Sequence, residues 1–492
     1  MSLINVINLT FGYESSYDNI FENVSFQIDT DWKLGFTGRN GRGKTTFLNL
    51  LLGKYEYSGT ISAKVNFEYF PFEVTKAANN TMDIIDNIYP DYIHWQVMRE
   101  LSLLQVSADV LYRPFATLSH GEQTKVLLAA LFLKENSFLL IDEPTNHLDM
   151  NARKVVSDYL NSKQGFILVS HDRAFLDNCV DHILSINKTN IEVQKGNFSS
   201  WWENKKMQDN FELAENEKLR QDITRLSAAA KRTADWSDKV EKTKLGTKNS
   251  GLKPDKGYIG HKAAKMMKRS KAIEARQQSA IDGKSKLLKN IESSERLRIF
   301  QLNFHADRLI ELENVSIFYG EKTACENVSF IIEQGARVTL YGKNGSGKSS
   351  LIKLICEENI TYTGTFRKAS QLKISYVSQD TSQLSGNLTG YAADNDIDES
   401  LFKTILRKLD FSRVQFEKDM ADFSGGQKKK VLIAKSLSEK AHLYIWDEPL
   451  NFIDVISRMQ IEELLLAYSP TILFVEHDAE FCKNIATKIL EL

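Results

Sequence analysis

Gly38-Arg39-Asn40-Gly41-Arg42-Gly43-Lys44-Thr45 is the stretch that decides the fold. It fits G-x-x-x-x-G-K-S/T and stands between an apolar run and a patterned stretch, 46–52, that reads as a helix. Glycines let such a loop wrap until backbone N–H groups point at phosphate oxygens. The N-terminus of the following helix adds a dipole that favours anions. The pattern assigns Lys44 to the β- and γ-phosphates of a nucleotide and Thr45 to a Mg2+ ion, with Thr46 beside them.

The motif occurs twice. Gly342-Lys343-Asn344-Gly345-Ser346-Gly347-Lys348-Ser349, followed by Ser350, repeats it with Lys348 and Ser349 in the same roles. Around it, Asn327-Val328-Ser329-Phe330 repeats Asn23-Val24-Ser25-Phe26, and Asp447-Glu448-Pro449 repeats Asp142-Glu143-Pro144. Glu476-His477-Asp478 stands where the first copy has Ser170-His171-Asp172, and the offset stays between 304 and 306. A repeat of that length is a duplicated domain, not a solenoid unit. One phosphate loop can arise by chance as a surface turn with a stray lysine; two in register argue against that. The copies are expected at residues 1–200 and 306–492.

Each copy reads as α/β. Residues 138–141, 166–169, 443–446 and 471–475 are short apolar runs of the kind buried strands show, and 124–133 is patterned as a helix. Strands alternating with helices imply a mainly parallel sheet covered on both faces. The 492 residues exceed a single core, and a hydrophobic content of 42% is that of an ordinary globular protein. No apolar run of about 18 residues is present, so no membrane span is expected. Residues 1–13 lack a basic start followed by an apolar run, so no secretory leader is expected. Cys179, Cys325, Cys356 and Cys482 form no C-x-x-C pair, which suits reduced thiols in a cytoplasm better than a disulfide framework or a zinc site.

Asp142 and Asp447 each end an apolar run, where a carboxylate can hold Mg2+ directly or through water. Glu143 and Glu448 follow them, placed to orient and deprotonate a water attacking a γ-phosphate, a contribution of about 10²–10⁴ in rate. An Asp-Glu pair alone would be read as a loop cap; the paired phosphate loops favour catalysis. His171 and His477 each follow an apolar run about 28 residues beyond the pair, where a lone histidine is ordinarily structural.

Leu118-Ser119-His120-Gly121-Glu122-Gln123 and Phe423-Ser424-Gly425-Gly426-Gln427 resemble the signature motif of ABC ATPase cassettes. With the phosphate loops, the Asp-Glu pairs, D-loops at 146–149 and 451–454, and His171 and His477 as switch histidines, the resemblance covers both flanks. It implies two cassettes closing head to tail on two ATP molecules. One site would pair Lys44 and Glu143 with Ser424, Gly425, Gly426 and Gln427. The other would pair Lys348 and Glu448 with Ser119, Gly121 and Gln123. Signature hydroxyl and N–H groups would form a second anion cradle. Tyr13 and Tyr319 sit where the family stacks adenine; a core aromatic is the equal alternative, and Phe11 is a further candidate. Gln379 resembles the Q-loop glutamine that contacts Mg2+. The first copy departs there, with Tyr69-Phe70-Pro71-Phe72-Glu73 and no glutamine, leaving Glu73 as a substitute. His120 replaces the usual glycine. Both copies keep a glutamate base, so two active, unequal sites are expected.

Between the copies, residues 205–298 hold 24 Lys and Arg against 13 Asp and Glu, a net of +11 in a chain whose total is −1. Residues 231–271 alone reach +9. Apolar residues at Leu219, Ile223, Leu226, Ala230, Thr233 and Val240, then at Met266, Ile273, Ala280, Leu287 and Ile291, follow helical steps. Two helices of about 40 residues, each spanning about 60 Å, packed as a long antiparallel hairpin are expected for 201–305. The connection, about 244–261, holds Gly246, Gly251, Pro254, Gly257 and Gly260 and reads as an irregular tip. A solvated tether is the plain reading of such charge. The length and basicity favour a polyanion, with Lys244, Lys248, Lys253, Lys256 and Lys262 on phosphates. Tyr258, His261 and Trp236 would stack on bases or pack within the hairpin.

Two cassettes joined by a basic helical linker resemble the ABC-F class, translation-associated ATPases of the ribosomal E site. The sequence looks nearest to its Lsa-type antibiotic-resistance members. The resemblance implies ATP and Mg2+ as cofactors and the bacterial 70S ribosome, with its 23S rRNA and P-site tRNA, as partner. It implies resistance to lincosamides, pleuromutilins and streptogramin A by drug displacement from the peptidyl-transferase centre. The chain would act in the cytoplasm as a monomer with an intramolecular cassette dimer. Spacings of 75 residues from Lys44 to Ser119 and 76 from Lys348 to Ser424 leave no long insertion in the first copy. A translation factor without drug phenotype and the ATPase subunit of a transporter are the competing readings.

Overall fold

The computed structural model describes residues 2–13, 19–72, 74, 79–146, 148–186, 191–242, 261, 264–265, 268–269, 271–273, 275–276, 279, 297–320, 322–343, 345–356 and 359–492. The first copy opens with an antiparallel sheet of β1 (Leu3–Phe11), β2 (Phe21–Asp29) and β4 (Ser58–Ser62), ordered β2-β1-β4. Its main sheet holds β3 (Lys33–Thr37), β5 (Asn66–Phe70), β6 (Ser137–Asp142), β7 (Phe166–Val169), β8 (His182–Ile186) and β9 (Ile191–Lys195). The order is β5-β6-β7-β3-β8-β9, parallel except for the antiparallel pair β8/β9. Helices α1 (Lys44–Leu51), α2 (Thr81–Ile88), α3 (His94–Leu103), α4 (His120–Phe132), α5 (Met150–Asn161) and α6 (Arg173–Cys179) accompany it.

After α7 (Phe198–Lys242), the second copy repeats the plan. It has a short parallel pair, β10 (Phe300–Gln301) with β16 (Lys440–Ala441), and an antiparallel sheet of β11 (Arg308–Tyr319), β12 (Lys322–Glu333) and β14 (Thr361–Lys368), ordered β12-β11-β14. The main sheet is all parallel: β13 (Arg337–Tyr341), β15 (Ile374–Val377), β17 (Leu443–Asp447), β18 (Ile472–Val475) and β19 (Lys488–Glu491), ordered β15-β17-β18-β13-β19. Its helices are α8 (Lys348–Ile355), α9 (Leu388–Asp394), α10 (Glu399–Lys408), α11 (Gly425–Ser438), α12 (Val455–Tyr468) and α13 (Ala479–Ile485).

The uninterrupted apolar runs become central strands because parallel sheets bury both faces. Every residue of β7, β17 and β18 is buried. Phe36, Phe47, Leu140 and Ile167 centre one core, and Leu340, Ile352, Ile445 and Leu473 centre its counterpart. Aspartate N-caps start the helices that follow the central strands. Asp149 accepts from Ala152 N at 2.8 Å, Asp172 from Phe175 N at 3.1 Å, Asp454 from Ser457 N at 2.9 Å, and Asp478 from Phe481 N at 3.0 Å. Each such cap is worth about 1 kcal/mol.

The chain divides into two compact units: Met1–Trp201 with Ser294–Leu492, which holds both copies, and Trp202–Ser293. The second copy reaches upstream of 306, since Leu297 and Ile299 lie in its core. In the linker, α7 is 45 residues long, and the described residues between 261 and 279 are also helical. The pairing of two limbs into a hairpin lies outside the described residues, as do Lys244, Lys248, Lys253, Lys256, Tyr258 and Lys262. Among the described residues no helix is long and apolar enough to cross a membrane.

Candidate functional site

Both glycine loops end in a left-handed residue, Gly43 and Gly347, each at φ 91. A Cβ at Gly43 would stand 2.5 Å from Ile20 Cγ2, and one at Gly347 2.6 Å from the Ala324 carbonyl oxygen. Only glycine permits that turn. It brings each lysine back over its own loop: Lys44 Nζ donates to Gly38 O at 2.7 Å, and Lys348 Nζ to Gly342 O and Lys343 O, both at 2.8 Å. Burial works against both ammonium charges and lowers their pKa; nearby carboxylates, including Glu143 and Asp142 for Lys44 and Glu448 and Asp447 for Lys348, oppose it.

Asp142, at the end of β6, accepts from Thr45 Oγ1 at 3.2 Å and from Tyr69 OH at 3.0 Å. Asp447, at the end of β17, is bonded by Ser349, and its Oδ1 is buried without a hydrogen-bond partner. Burial pushes both carboxyls upward. A hydroxyl and a carboxylate at a phosphate loop, one oxygen left unsatisfied, make an all-oxygen donor set that fits Mg2+.

The two glutamates that follow are held in left-handed backbone, Glu143 at φ 52 and Glu448 at φ 48. Non-glycine residues there cost about 1–3 kcal/mol, so identical strain in both copies marks a constrained position. Glu143 Oε1 lies 3.2 Å from His171 Nε2, and Glu448 Oε1 lies 3.4 Å from His477 Nε2. Glu448 Oε2 also accepts from Gln379 Nε2 at 2.8 Å and from Asn451 Nδ2 at 2.6 Å. Burial raises Glu448, but the bonds from His477 and Gln379 outweigh it and hold the carboxyl below its ordinary range. Burial, then the charge of Asp142, pushes Glu143 up to about 8. Burial, with Lys44 and Arg458 nearby, holds His171 far below the usual imidazole value.

A cavity of about 910 Å3 lies between the copies. Tyr319, Lys348, Ser349, Gln379, Glu448, Asn451 and His477 line it from the second copy, together with Lys343, Gly345, Gly347 and Ser350. From the first copy come Ser119, His120, Gly121, Glu122, Lys125, Asp149 and Arg153. Gln123 is not the signature residue that faces this space, a correction to the sequence reading: its amide donates to Phe115 O at 3.0 Å and Leu118 O at 3.3 Å. Glu122 lines the cavity instead, accepting from Ser119 N at 2.9 Å and Oγ at 2.8 Å. Gln427 treats Ser424 the same way, accepting from its N–H at 2.9 Å. The repeat offset of 305 matches Glu122 to Gln427, a signal that counting within the motif overlooked.

At the opposite seam the copies meet more closely. Asn40 Nδ2 donates to Phe452 O at 2.8 Å. A Cβ on Gly426 would stand 2.4 Å from that same carbonyl and 3.0 Å from Asn40 Nδ2, while Gly425 lies under the Phe452 ring. Arg39 and Arg42 stand 3.8 and 3.5 Å from Asp410. The structure therefore brings the Lys44 loop to Ser424–Gln427 and the Lys348 loop to Ser119–Glu122. Tyr13 OH bonds Thr46 Oγ1 at 2.9 Å, with the ring edge-on to Phe11, which is buried beneath it. Tyr13 and Tyr319 are both partly exposed, which makes them, rather than Phe11, available to a ligand.

Strand register resolves the missing Q-loop glutamine. Phe70 pairs with Ile141 as Val377 pairs with Trp446, so the position of Gln379 in the first copy belongs to Phe72 rather than Glu73. Glu73, like Asn344 and His147, lies outside the described residues. The sequence reading also passed over Arg153, whose Nη1 donates to Asp172 Oδ2 at 3.0 Å and across the seam to His477 O at 3.3 Å. Its counterpart by the repeat is Arg458, which lies 3.6 Å from Asp478.

A family profile described as "ABC transporter" matches residues 21–146 and 325–451, about half of the chain. The ribosome protection protein VmlR of Bacillus subtilis (strain 168) is 29% identical over 487 residues, covering 97% of this chain and 85% of that protein. The ATP-binding protein Uup of Buchnera aphidicola subsp. Acyrthosiphon pisum (strain APS) is 28% identical over 511 residues, covering 99% and 80%. A chain in the crystal structure of the complex of archaeal ribosomal stalk protein aP1 and archaeal ribosome recycling factor aABCE1 superposes with a TM-score of 0.62. That match covers 98% of this chain and 87% of that chain at 17% identity, a likeness of fold alone.

Proposed function

The chain belongs to the ABC transporter family as a twin-cassette ATP hydrolase of the ABC-F class, and from that premise we propose that it protects ribosomes. In this reading it binds the E site of the bacterial 70S ribosome, in the cytoplasm, with its linker directed at 23S rRNA and the P-site tRNA. It confers resistance to lincosamides, pleuromutilins and streptogramin A by displacing drug from the peptidyl-transferase centre.

ATP enters the cavity with adenine on Tyr319 and its β- and γ-phosphates on Lys348 and the N–H groups of the loop. Ser119 Oγ and the Gly121 N–H close on the γ-phosphate from the other copy. Ser349, Asp447 and Gln379 would hold Mg2+, which when bound would offset phosphate charge. Glu448 takes a proton from water as its oxygen bonds to the γ-phosphorus and the bond to the bridging oxygen of ADP breaks. His477 holds the γ-phosphate. The lowered carboxyl of Glu448 and its donors Gln379 and Asn451 support this role, since a base must be ionised and aimed. Lys44, Thr45, Asp142, Glu143 and His171, with Ser424, Gly425, Gly426 and Gln427, make the second site, the slower of the two because burial and the charge of Asp142 keep Glu143 largely protonated near neutral pH. ATP draws the copies together and sets the linker; hydrolysis releases it.

The observation that carries the ribosomal part is the likeness to VmlR along 97% of this chain, joined to the +9 charge of residues 231–271. The test is co-sedimentation with 70S ribosomes with ATP, and the lincomycin inhibitory concentration of a sensitive bacterium expressing the chain. Nearly equal likeness to Uup favours a second reading, a ribosome-bound translation factor without drug phenotype. An unchanged inhibitory concentration with retained sedimentation would select it.

A further inference from the structure

Helix α6 begins one residue beyond the pair His171-Asp172 and is only seven residues long. Three ties leave it in three directions. Asp172, its N-cap, accepts from Arg153, which also donates to the His477 carbonyl across the seam. Arg173 forms an ion pair with Glu462 of α12 in the other copy, both side chains nearly excluded from solvent. One turn further on, Asp177 accepts the backbone N–H of Ser199 at 2.7 Å and also the Ser199 hydroxyl. Ser199 lies in the first turn of α7, where Phe198 and Trp201 are buried.

Residues four apart share a helix face, about 6 Å from one another, so Arg173 and Asp177 make one rigid edge. The tie to Ser199 is not needed merely to cap α7. Asn197 already accepts from Ser200 N at 3.1 Å, the ordinary cap arrangement. The duplicated copy supplies the comparison. Its α13 carries Ala479 where α6 has Arg173 and Lys483 where α6 has Asp177, and α5 carries Ser157 where α12 has Glu462. An ammonium cannot accept from a helix N-terminus. The acidic contact and the cross-seam ion pair thus occur in the copy that runs into the linker helix.

We propose that Asp177 is a positioning residue that fastens the first turn of the linker helix to α6, so that nucleotide-driven movement of His171 and of the seam is passed to α7. The inference rests on His171 facing the γ-phosphate but not on the ribosome as partner. α6 moves as a unit because Phe175, Leu176 and Cys179 are buried beneath it. Its displacement then carries Ser199 with it, because a carboxylate bonded to both N–H and hydroxyl leaves little freedom to slip.

The experiment is hydrogen exchange over residues 198–212 of the full chain, with and without Mg2+ and a non-hydrolysable ATP analogue. The parent is expected to slow exchange there on nucleotide by at least about fivefold. Asp177→Lys, which installs the residue α13 tolerates at this place, should lose most of that response, and Ser199→Ala, which keeps the backbone donor, should lose part of it. Both should bind the analogue within about twofold of the parent, since neither residue touches the cavity. A full response in Asp177→Lys, or none in the parent, overturns the proposal. So does loss of nucleotide binding in both variants. His171→Ala tests the assignment beneath: a response kept there but lost in Asp177→Lys moves the trigger to another group and leaves the fastening role supported.

Discussion

Replacing both glutamates proposed as bases by glutamine, Glu143→Gln with Glu448→Gln, isolates proton transfer from everything else in the sites. In the parent, Glu448 Oε2 faces two amide donors, Gln379 and Asn451, and Oε1 faces His477. A glutamine of the same shape turns its carbonyl toward the two amides and its NH2 toward the imidazole, so packing and nucleotide contacts survive. What is lost is a base. General-base catalysis is worth about 10²–10⁴ in rate, or about 2.7–5.4 kcal/mol of barrier. Phosphate release in single turnover should fall by that factor, while binding of a fluorescent ATP analogue stays within about threefold. Asn451→Ala should give a loss of about 10- to 150-fold, because one hydrogen bond to a charged group is worth about 1.5–3 kcal/mol. A double variant that turns over ATP at the parent rate would falsify the assignment of the bases. One that fails only because it no longer binds ATP would refute the claim that the glutamates act on water.

Removing residues 244–261 should abolish ribosome co-sedimentation and drug protection while basal ATP hydrolysis stays within about twofold. Gly426→Ala places a Cβ 2.4 Å from the Phe452 carbonyl and 3.0 Å from Asn40 Nδ2 of the other copy; overpacking of about 1–3 kcal/mol there should lower steady-state hydrolysis by about tenfold, and a parent-like rate would contradict the approach of Asn40 to Gly426. Glu100, buried between α3 and α5, accepts from Lys163 at 2.5 Å and Tyr159 at 2.7 Å. Burial would raise its carboxyl, but the bonds from Lys163, Arg99 and Tyr159 hold it low. A depressed folded pKa stabilises above the unfolded glutamate value and is lost as pH falls through the folded one. Glu100→Gln should therefore cost about 1–3 kcal/mol in urea unfolding at pH 7, since Arg99 is largely exposed and Lys163 partly so, with the gap to the parent closing as the medium is acidified below the ordinary glutamate range.

The fold was legible because its signals are local. A glycine loop needs only eight consecutive residues to curl round a phosphate, and runs such as 138–141 and 443–446 must be buried on both faces wherever they lie. Repetition at an offset near 305 then doubled each signal and set the two copies. Glu143 and Glu448 were legible as the residues after a strand-ending aspartate; their left-handed backbone was not, because φ is imposed by the turn to the D-loop.

Side-chain directions and contacts that packing sets were not legible. Counting along one motif offered Gln123, whereas helix geometry turns that amide to Phe115 and Leu118 and brings Glu122 to the cavity. Counting along another offered Glu73, whereas strand register assigns the place of Gln379 to Phe72.

By itself the sequence determined two nucleotide loops, their carboxylates and a basic segment between them, since each depends on residues within one turn or one strand. Only tertiary structure decided that Gln379 reaches Glu448, that Asp410 stands by Arg39 and Arg42, and that α6 joins a seam to a linker helix. The reason is physical: those pairs are separated by as many as several hundred residues, and distance along the chain carries no information about distance in space until sheets and helices have packed.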